Sequence, residues 1–503
     1  MSESGLPRLA HNKVTALGGM IALATLMAII LMIVADVLTE RSNPYFDIIL
    51  LIILPTILIF GLLLIPLGMW LTWRRQRRTR VDEITGWPVV DLNLPSHRNA
   101  TLVFVLGTVV FILLSSFGVY QAYHYSESVE FCGELCHTVM QPQYAAYKES
   151  SHARVSCTAC HVGYGADWYA KSKLSGAYQV YATLADVFPR PIPTPIENLR
   201  PARETCEQCH WPEKHYSGRV REFVHYRYDE ANTPWYLEML IKTGGDESEG
   251  LHASGIHWHI NKDVLIEYAA RDEGRQDIPW VRYTNGRTGE VVVFQDTEAP
   301  LAEESLAGKE LRRMDCLDCH NRPSHVFHSP DHLMDRLLLT GRISKALPEI
   351  KSIAVNVMVS EYDSAQEAHE AISAKLRSYY ASEYPGLSET HSVEVDSAVV
   401  AVQHAFARNI FPGMKAQWSV YPSNIGHFSD IGCMRCHAGY HRAEDGRTIT
   451  HECNACHTIL AQGPVGDIEV AESQEGSEFR HPEDIDKAWL EMGCYECHDG
   501  TQP

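Results

Sequence analysis

The chain is short of basic residues: its 503 positions hold 43 Lys+Arg against 63 Asp+Glu, which gives a net charge of −20. The deficit lies beyond residue 98, because residues 1–98 hold nine basic and seven acidic residues and the rest of the chain holds 34 and 56. Such an acidic soluble part argues against nucleic acid as a partner and does not favour docking on anionic lipid. It would suit a partner with a basic face, or it could simply keep the domain soluble.

The chain also has no cysteine outside one recurrent motif, in which the second cysteine of a pair is followed at once by histidine. The seven motifs are Cys132/Cys136/His137, Cys157/Cys160/His161, Cys206/Cys209/His210, Cys316/Cys319/His320, Cys433/Cys436/His437, Cys453/Cys456/His457 and Cys494/Cys497/His498. Six read CxxCH, and the first, CGELCH, has one extra residue between its cysteines. Disulfide frameworks do not repeat one spacing, zinc knuckles do not need histidine next to every pair, and thioredoxin-like pairs normally occur once.

CxxCH is the attachment site of haem c, in which two thiols bond the porphyrin and the adjacent histidine ligates the iron. The chain is therefore predicted to bind seven haem c groups, whose porphyrins would supply much of the apolar core around the motifs. The cysteines of CGELCH could instead form a disulfide or stay unmodified. No CxxCK motif is present, so the lysine-ligated site of pentahaem nitrite reductases is absent.

Long apolar runs are confined to the first 125 residues. They cover about 14–37, 48–72 and 100–120, and each can cross roughly 30 Å of hydrocarbon as a helix. The loop between the second and third runs carries Arg74, Arg75, Arg77, Arg78 and Arg80, which place that loop and the N-terminus in the cytoplasm by the positive-inside rule. No small-residue cleavage site follows the first run, which indicates an anchor and not a removed signal peptide. The sequence thus predicts a multi-pass protein of the bacterial inner membrane, with a periplasmic haem domain after about residue 122.

Beyond this anchor we expect a mainly α-helical chain with irregular loops and a small β insert. Strand-like runs around the turn signal NGRTG indicate β structure after the third motif. Apolar residues three and four apart indicate helices after the fourth motif, closed by Pro385 and Pro412. The predicted units are a membrane anchor at 1–122, a first haem module at 123–210, a β-containing insert at 211–315, the fourth motif at 316–332, a helical insert at 333–425 and a C-terminal three-haem module at 426–503.

Each haem iron needs a sixth ligand, and 19 histidines lie outside the motifs. Bis-histidine ligation of electron-transfer haems would take one of them for each iron. The candidates are His152, His325, His257, His259, His427, His451 and His481. Of His257 and His259 in GIHWH, one is expected to serve, and the sequence leaves open which. Met140 could ligate the first iron or merely pack, and that iron could also keep an open position.

Several segments together resemble the NapC/NirT/NrfH family of membrane-anchored quinol dehydrogenases: FCGELCHTVMQPQY, SSHARVSCTACH, KSKLSGAYQVY, CEQCH and CLDCHNRPSH. The resemblance covers residues 100–210 and 316–328 approximately, and it places the family's characteristic histidines at His152 and His325. It implies a quinol pocket beside the first haem, lined by a lysine that corresponds to Lys173. The family's acidic residue falls on Val180 here, so Gln179 or Asp186 could take its role.

The chain departs from the family in four respects. It has three apolar runs where the family usually has one helix, and both spacings around the first motif are longer by one residue. About a hundred residues separate the third and fourth motifs, and three further motifs follow. This larger form resembles the seven-haem, three-span inner-membrane cytochromes of the ImcH type.

The function implied is that of a heptahaem cytochrome c that oxidises menaquinol or another quinol of the membrane quinone pool. Its electrons would pass to a periplasmic cytochrome c or reductase. Quinol oxidation also releases protons, and a lysine or carboxylate near the hydroxyl can orient it and accept one. Two other interpretations stay open. One is a terminal reductase with an open iron for a small inorganic substrate, and the other is an electron-wire subunit of an oligomer or larger respiratory complex.

Overall fold

A computed structural model describes residues 12–39, 49, 53–79, 91–163, 165–196, 200–211, 218–244, 255–306, 309 and 311–501. Contacts within the chain divide it into two compact units, Met1–His137 and Thr138–Pro503. Residues 48 and 50–52 of the second apolar run lie outside the described residues. So do residues 80–90 of the arginine-rich loop that follows it.

Three long apolar helices make up most of the first unit. They are α1 (Lys13–Thr39), α2 (Leu54–Thr79) and α3 (Pro95–Ser126). Their apolar stretches of 20, 22 and 30 residues have mean hydropathies of 2.3, 2.2 and 2.6. Each stretch is long enough to span a bilayer.

Helices α1 and α2 pack antiparallel to each other through glycines. A side chain at Gly18 would lie 2.7 Å from the carbonyl oxygen of Gly61, and one at Gly68 would lie 2.5 Å from the hydroxyl of Thr15. The Thr15 hydroxyl also donates to the carbonyl of Ile65 at 3.3 Å. Small residues let two helix backbones approach closely. Close packing matters in a membrane because moving an apolar side chain from lipid to a helix contact gains little free energy from the hydrophobic effect.

Short helices carry several of the cysteine motifs, and a set of longer helices follows the fourth motif. In chain order the further helices are α4 (His137–Glu149), α5 (Cys157–His161), α6 (Ala166–Leu184), α7 (Ala202–Thr205), α8 (Glu303–Leu306), α9 (Cys316–Cys319), α10 (Pro330–Leu339), α11 (Ile350–Val359), α12 (Ala365–Glu383), α13 (Pro385–Thr390), α14 (Ser392–Asn409) and α15 (Met434–His437).

Two antiparallel sheets lie in the second unit. Their strands are β1 (Arg219–Tyr226), β2 (Pro234–Ile241), β3 (Val264–Ala269), β4 (Trp280–Asn285), β5 (Val291–Asp296), β6 (Arg312–Arg313), β7 (His441–Arg442), β8 (His457–Pro464) and β9 (Glu469–Val470). The strand orders are β1-β2-β8-β9 and β6-β3-β4-β5-β7. Ile241 of β2 lies opposite His457 of β8, and Asp296 of β5 lies opposite His441 of β7. Each sheet therefore joins strands that precede the fourth motif to strands that follow the fifth.

The helices between the fourth and fifth motifs have an apolar core of their own. Met334, Leu338, Ile372 and Tyr380 are among its almost fully buried side chains. Helix α12 begins where the Ser364 hydroxyl accepts the Glu367 N–H at 3.1 Å, a typical N-cap. Each buried leucine or isoleucine contributes about 1.5–3 kcal/mol, so this cluster is a major source of stability for the second unit.

The predicted fold class is confirmed: the chain is mainly helical, with three apolar N-terminal helices and some β sheet. The β structure extends beyond the insert where we expected it, because β7, β8 and β9 pair with its strands. A sheet edge presents unpaired N–H and C=O groups, and the later strands cover two such edges.

Candidate functional site

The cysteine motifs lie on single helical turns. Three of the regular motifs coincide with the helices α5, α9 and α15. The other three coincide with 3₁₀ turns at Cys206–Gln208, Cys453–Ala455 and Cys494–Glu496. In four of the six the N–H of the motif histidine donates to the carbonyl of the first cysteine at 2.7–3.1 Å. Residues three apart lie on one side of such a turn. Both thiols can therefore reach one planar group whose iron the histidine ligates.

The attachment cysteines differ in how far the protein covers them. Ten of the 14 are partly buried. The other four are exposed: Cys160, Cys209, Cys453 and Cys497. Each lies at one end of a single short turn flanked by irregular chain, so little of the described protein covers it. A thioether bond joins the edge of the porphyrin, and a thiol at the surface can still form it.

The irregular first motif lies on a wider turn. Residues Phe131–Leu135 form a π-helical turn, which closes with one residue more than an α-turn. The extra residue of CGELCH is thus taken up by the turn, and its cysteines stay one turn apart. No disulfide joins Cys132 to Cys136, since all 14 cysteines are free. Met140 lies in α4 three positions after His137.

Each of the other six motif histidines faces a second histidine. Their ring centres are 5.8–6.4 Å apart. The pairs are His161 with His325, His210 with His152, His320 with His257, His437 with His259, His457 with His427, and His498 with His481. No such ring contact is found for His137 within the part of the chain that the structure describes.

This separation suits one metal ion between two imidazoles. A metal bonded at about 2 Å to one nitrogen of each ring, with that nitrogen about 1 Å from the ring centre, sets the centres about 6 Å apart. Rings in direct contact lie closer: His328 and His332, which belong to no motif, have centres 4.6 Å apart. The six pairs therefore fit haem c held by two cysteines and two histidines.

Most of the second histidines are also oriented by the backbone. The Nδ1 atom lies 2.6–3.1 Å from a carbonyl oxygen in His152, His257, His259 and His325. A carbonyl only accepts, so Nδ1 carries the proton in these four and Nε2 keeps the lone pair that a metal needs. The Nδ1 of His481 lies near both the carbonyl oxygen and the N–H of Glu483, at 2.9 and 3.1 Å. His427 and His457 differ, because each has a buried Nδ1 without a partner among the described residues.

Burial favours the uncharged form of seven of the twelve paired histidines. It lowers the pKa of His161, His259, His325, His427, His437, His457 and His498. For His325 the pKa falls to about 4. A neutral imidazole is the form that ligates a metal, so these rings are ready to bind at neutral pH.

The thiols of successive motifs lie close enough to influence one another. Burial is the main cause that raises the pKa of the thiols at Cys160, Cys316, Cys319, Cys456 and Cys494. A thiol of a neighbouring motif raises each further: Cys206 for Cys160 and Cys316, Cys433 for Cys319 and Cys456, and Cys453 for Cys494. From the second to the seventh, each motif thus has a thiol close enough to be influenced by a thiol of an adjacent motif in the sequence, or to influence one.

One turn serves two neighbouring motifs. Residues Gly255–Ile260 form a 3₁₀ turn that places His257 opposite the fourth motif and His259 opposite the fifth. Gly255 has φ +66°, and a Cβ there would lie 2.1 Å from the carbonyl oxygen of Lys242. The turn thus requires glycine at its first position, and it holds both histidines in one rigid segment.

Arg435 joins the same two motifs from the other side. It lies inside CMRCH and is 8% exposed. Its guanidinium donates to the carbonyl oxygens of Asp318 at 2.7 Å and Gly432 at 2.8 Å. The side chain of Asp318, inside CLDCH, in turn accepts from Arg312 at 2.6 Å and Tyr268 at 2.5 Å. Buried charged groups are thus fully bonded at this junction.

A buried charged cluster lies near the seventh motif. The Lys351 ammonium, 2% exposed, lies 2.7 Å from Asp331 and 2.6 Å from Asp335, and His225 bonds Asp335 at 3.0 Å. The carboxylates and the histidine could suit a metal ion by distance, but the ammonium already lies against both carboxylates. The His225 ring stacks on Phe428, which stacks on the ring of His498.

The residues proposed for a quinol pocket do not share one helix face. Lys173 and Gln179 are six positions apart on α6, which sets them about 120° apart around a helix of 3.6 residues per turn. Val180 lies on the side of Lys173, so the position of the family's acidic residue is apolar here. Asp186 follows the helix and pairs with Arg190 at 2.5 Å. Lys173 is therefore the main candidate.

Three predictions about the second histidines need revision or stay open. The sequence led us to expect one ligand from GIHWH, whereas His257 and His259 each face a different motif. His451 lies beside Gly439 and faces no motif histidine among the described residues. Spacing gave no hint that His152, which precedes the second motif, faces the third.

Comparison with known proteins places the chain in a family. Residues 94–191 match the NapC/NirT cytochrome c family, N-terminal region. The cytochrome c-type protein ImcH of Geobacter sulfurreducens is 46% identical over 488 residues, which cover 97% of this chain and 95% of that protein. The chain belongs to the NapC/NirT cytochrome c family. No solved structure matches it.

Family membership confirms the resemblance read from the motifs. This member of the family is a c-type cytochrome with covalently bound haem c, and its function is electron transport. With its three apolar helices it is a protein of the inner membrane.

Proposed function

We propose that this cytochrome oxidises a quinol, with menaquinol as the first candidate, at the periplasmic face of the bacterial inner membrane. Its electrons would go to a soluble periplasmic cytochrome c or reductase. The six histidine pairs in a membrane-anchored member of this family carry the proposal. The arginine-rich loop supports an N-terminus in the cytoplasm and the motifs on the other side.

The residues would hold seven haem c groups, one at each motif. Haem c supplies a one-electron iron centre at each site. The two cysteines of a motif would fix the porphyrin, and the two histidines of each of the six pairs would ligate its iron. Six of the seven sites would then offer no position for an inorganic substrate, and only the first, where no second histidine faces His137 among the described residues, could offer one. A terminal reductase is therefore the weaker interpretation.

The order of the motifs defines a route along the protein. It runs from the second motif, in the part that matches the family, to the seventh, near the C-terminus. There His481 lines a cleft of about 530 Å³, whose charged lining consists of Glu483, Asp484 and Asp486 with Arg480 and Lys487. The cleft is only slightly acidic, so a partner with a basic face would be attracted mainly by the acidic charge of the part of the chain after residue 98.

Lys173 would handle the proton chemistry of the quinol. A lysine beside a quinol hydroxyl can orient it by hydrogen bonding and, when neutral, accept its proton. Val180 on the same side would offer an apolar wall to the quinone ring. Met140 or His137 would ligate the first iron, next to the donor.

Lys173→Ala is expected to slow quinol-driven haem reduction about tenfold or more, because positioned proton acceptors contribute about 10²–10⁴. The measurement is the rise of the reduced haem band after a quinol analogue is added to membrane vesicles. Lys262→Ala, which removes an exposed lysine elsewhere, should react at the wild-type rate. A wild-type protein that stays oxidised under excess quinol would refute quinol oxidation itself.

Cys132→Ser or Cys136→Ser is expected to lower the covalent haem content from seven to six per chain, since the wide turn still presents both thiols to one porphyrin. The pyridine haemochrome assay against protein concentration measures this. Cys453→Ser in a regular motif is the matched comparison and should also give six. Six haems in the wild-type protein, unchanged by Cys132→Ser, would mean that the first motif binds none.

A further inference from the structure

Helix α6 has a wide apolar face turned to solvent. Leu174, Tyr178, Tyr181 and Leu184 are 75%, 65%, 62% and 84% exposed. Leu184 and Leu174 exceed every other large apolar side chain of the described residues, those of the three long apolar helices included. An exposed apolar surface of this kind marks an interaction site in most proteins.

The four side chains form one continuous stripe. Successive residues of a helix are turned by about 100°, so positions 174, 178, 181 and 184 fall within roughly 120° of one another. Lys171 borders the stripe on one side and Lys173 on the other by the same geometry. The opposite side carries Ser172, Ser175 and Gln179, and most of it is polar.

This distribution matches a helix that lies in the plane of a membrane surface. Such helices bury an apolar face about 5–10 Å into the boundary between headgroups and acyl chains. Tyrosines favour that boundary, and flanking lysines extend their ammonium groups to the phosphates while their methylenes cover apolar surface. The two lysines outnumber Asp167, the one acidic residue of this helix, which the same geometry places near the stripe, although the second unit as a whole is acidic.

A bilayer is also the surface that always lies next to this chain. Its three long apolar helices hold it in a membrane. The helix then needs no separate partner for its apolar face. We propose that α6 lies on the outer surface of the bilayer, with Leu174, Tyr178, Tyr181 and Leu184 inserted among the lipids. This contact would hold the cytochrome at lipid depth. It stands without the proposed quinol activity, although it would bring Lys173 to the depth at which a quinol headgroup lies.

Photo-crosslinking of the full-length protein in membrane vesicles tests the contact. p-Benzoylphenylalanine is placed at Tyr181, or separately at Leu184, on the apolar stripe. The control position is Ser175, about 120° from Tyr181 and about 180° from Leu184. After irradiation, mass spectrometry of the digested protein should find phospholipid adducts at positions 181 and 184 and at least tenfold fewer at position 175.

Other outcomes overturn the proposal. Adducts to a second copy of the chain or to another protein at position 181 would make the stripe a protein interface. Equal lipid adducts at 175 and 181, or none at 181 and 184, would place the helix elsewhere. Quinol-driven haem reduction is recorded in the same vesicles, so that loss of quinol activity with retained lipid adducts would reject the proposed function and leave the membrane contact standing.

Discussion

His257→Ala and His259→Ala are each expected to convert one haem, and a different one, from six-coordinate low-spin to five-coordinate high-spin. The two rings lie opposite different motif histidines, with ring centres 6.4 and 5.8 Å apart. A reduced haem that has lost one axial histidine can bind carbon monoxide. Each single variant should therefore bind one more carbon monoxide per chain than the wild type, and the double variant two more.

The double variant separates the possible ligand sets. One additional carbon monoxide in the double variant would mean that only one of the two histidines ligates an iron, as the sequence had led us to expect. His451→Ala alters a histidine that faces no motif histidine in the part of the chain that the structure describes, and it should bind as much carbon monoxide as the wild type. Because the fourth and fifth sites lie mid-route, each single variant should also slow quinol-driven reduction of an added acceptor by at least about tenfold, through the changed coordination of one site.

Lys351→Met is expected to destabilise the second unit by about 3–5 kcal/mol, the usual loss when one partner of a buried ion pair is removed. Lys351 lies against Asp331 and Asp335, and its ammonium also donates to the carbonyl of Tyr226 at 2.5 Å. Denaturant titration followed by far-UV circular dichroism measures the loss. Lys375→Met, an exposed lysine on α12, should change stability by less than about 0.5 kcal/mol.

The loss should also depend on pH. Burial raises the pKa of Asp331, but Lys351 and the Tyr228 hydroxyl outweigh it, so the pKa lies below its ordinary value. In the wild type the stability that Asp331 contributes is therefore present above about pH 4 and lost as the pH falls through its folded pKa. Without Lys351, burial dominates and the carboxyl gains stability on protonation. The difference in the free energy of unfolding between Lys351→Met and the wild type should shrink from pH 7 towards pH 4. A difference that stays constant over this range would contradict this account.

The attachment sites and the membrane helices could be read from the sequence because both are local patterns. Two thiols and a histidine on one turn need only adjacent residues, and a membrane span needs only an apolar run. The pairing of the second histidines could not be read, because it depends on where distant segments meet. His325 follows the fourth motif but faces the histidine of the second, 164 positions earlier in the chain.

The contacts of the buried polar groups could not be predicted from the sequence for the same reason. In the sequence Lys351 looks like any lysine of an amphipathic helix. Its carboxylate partners, Asp331 and Asp335 of α10, also look like ordinary acidic residues of a helix. Arg435 inside a motif gave no sign that it joins two motifs through backbone carbonyls. The apolar stripe of α6 was visible in principle, since KLSGAYQVYATL has its large apolar residues at helical spacing. Only the structure indicates that no protein segment covers it among the described residues.

The shared sheets have a consequence for how this chain is made. Synthesis proceeds from the N-terminus, so β1 to β6 emerge long before β7, β8 and β9. Until those last strands follow, β2 and β5 each keep an open edge, to which another chain could add. The growing protein must therefore be protected until almost its whole length is available. A copy that ended after the helical insert would be prone to aggregation, although it would still contain four attachment motifs.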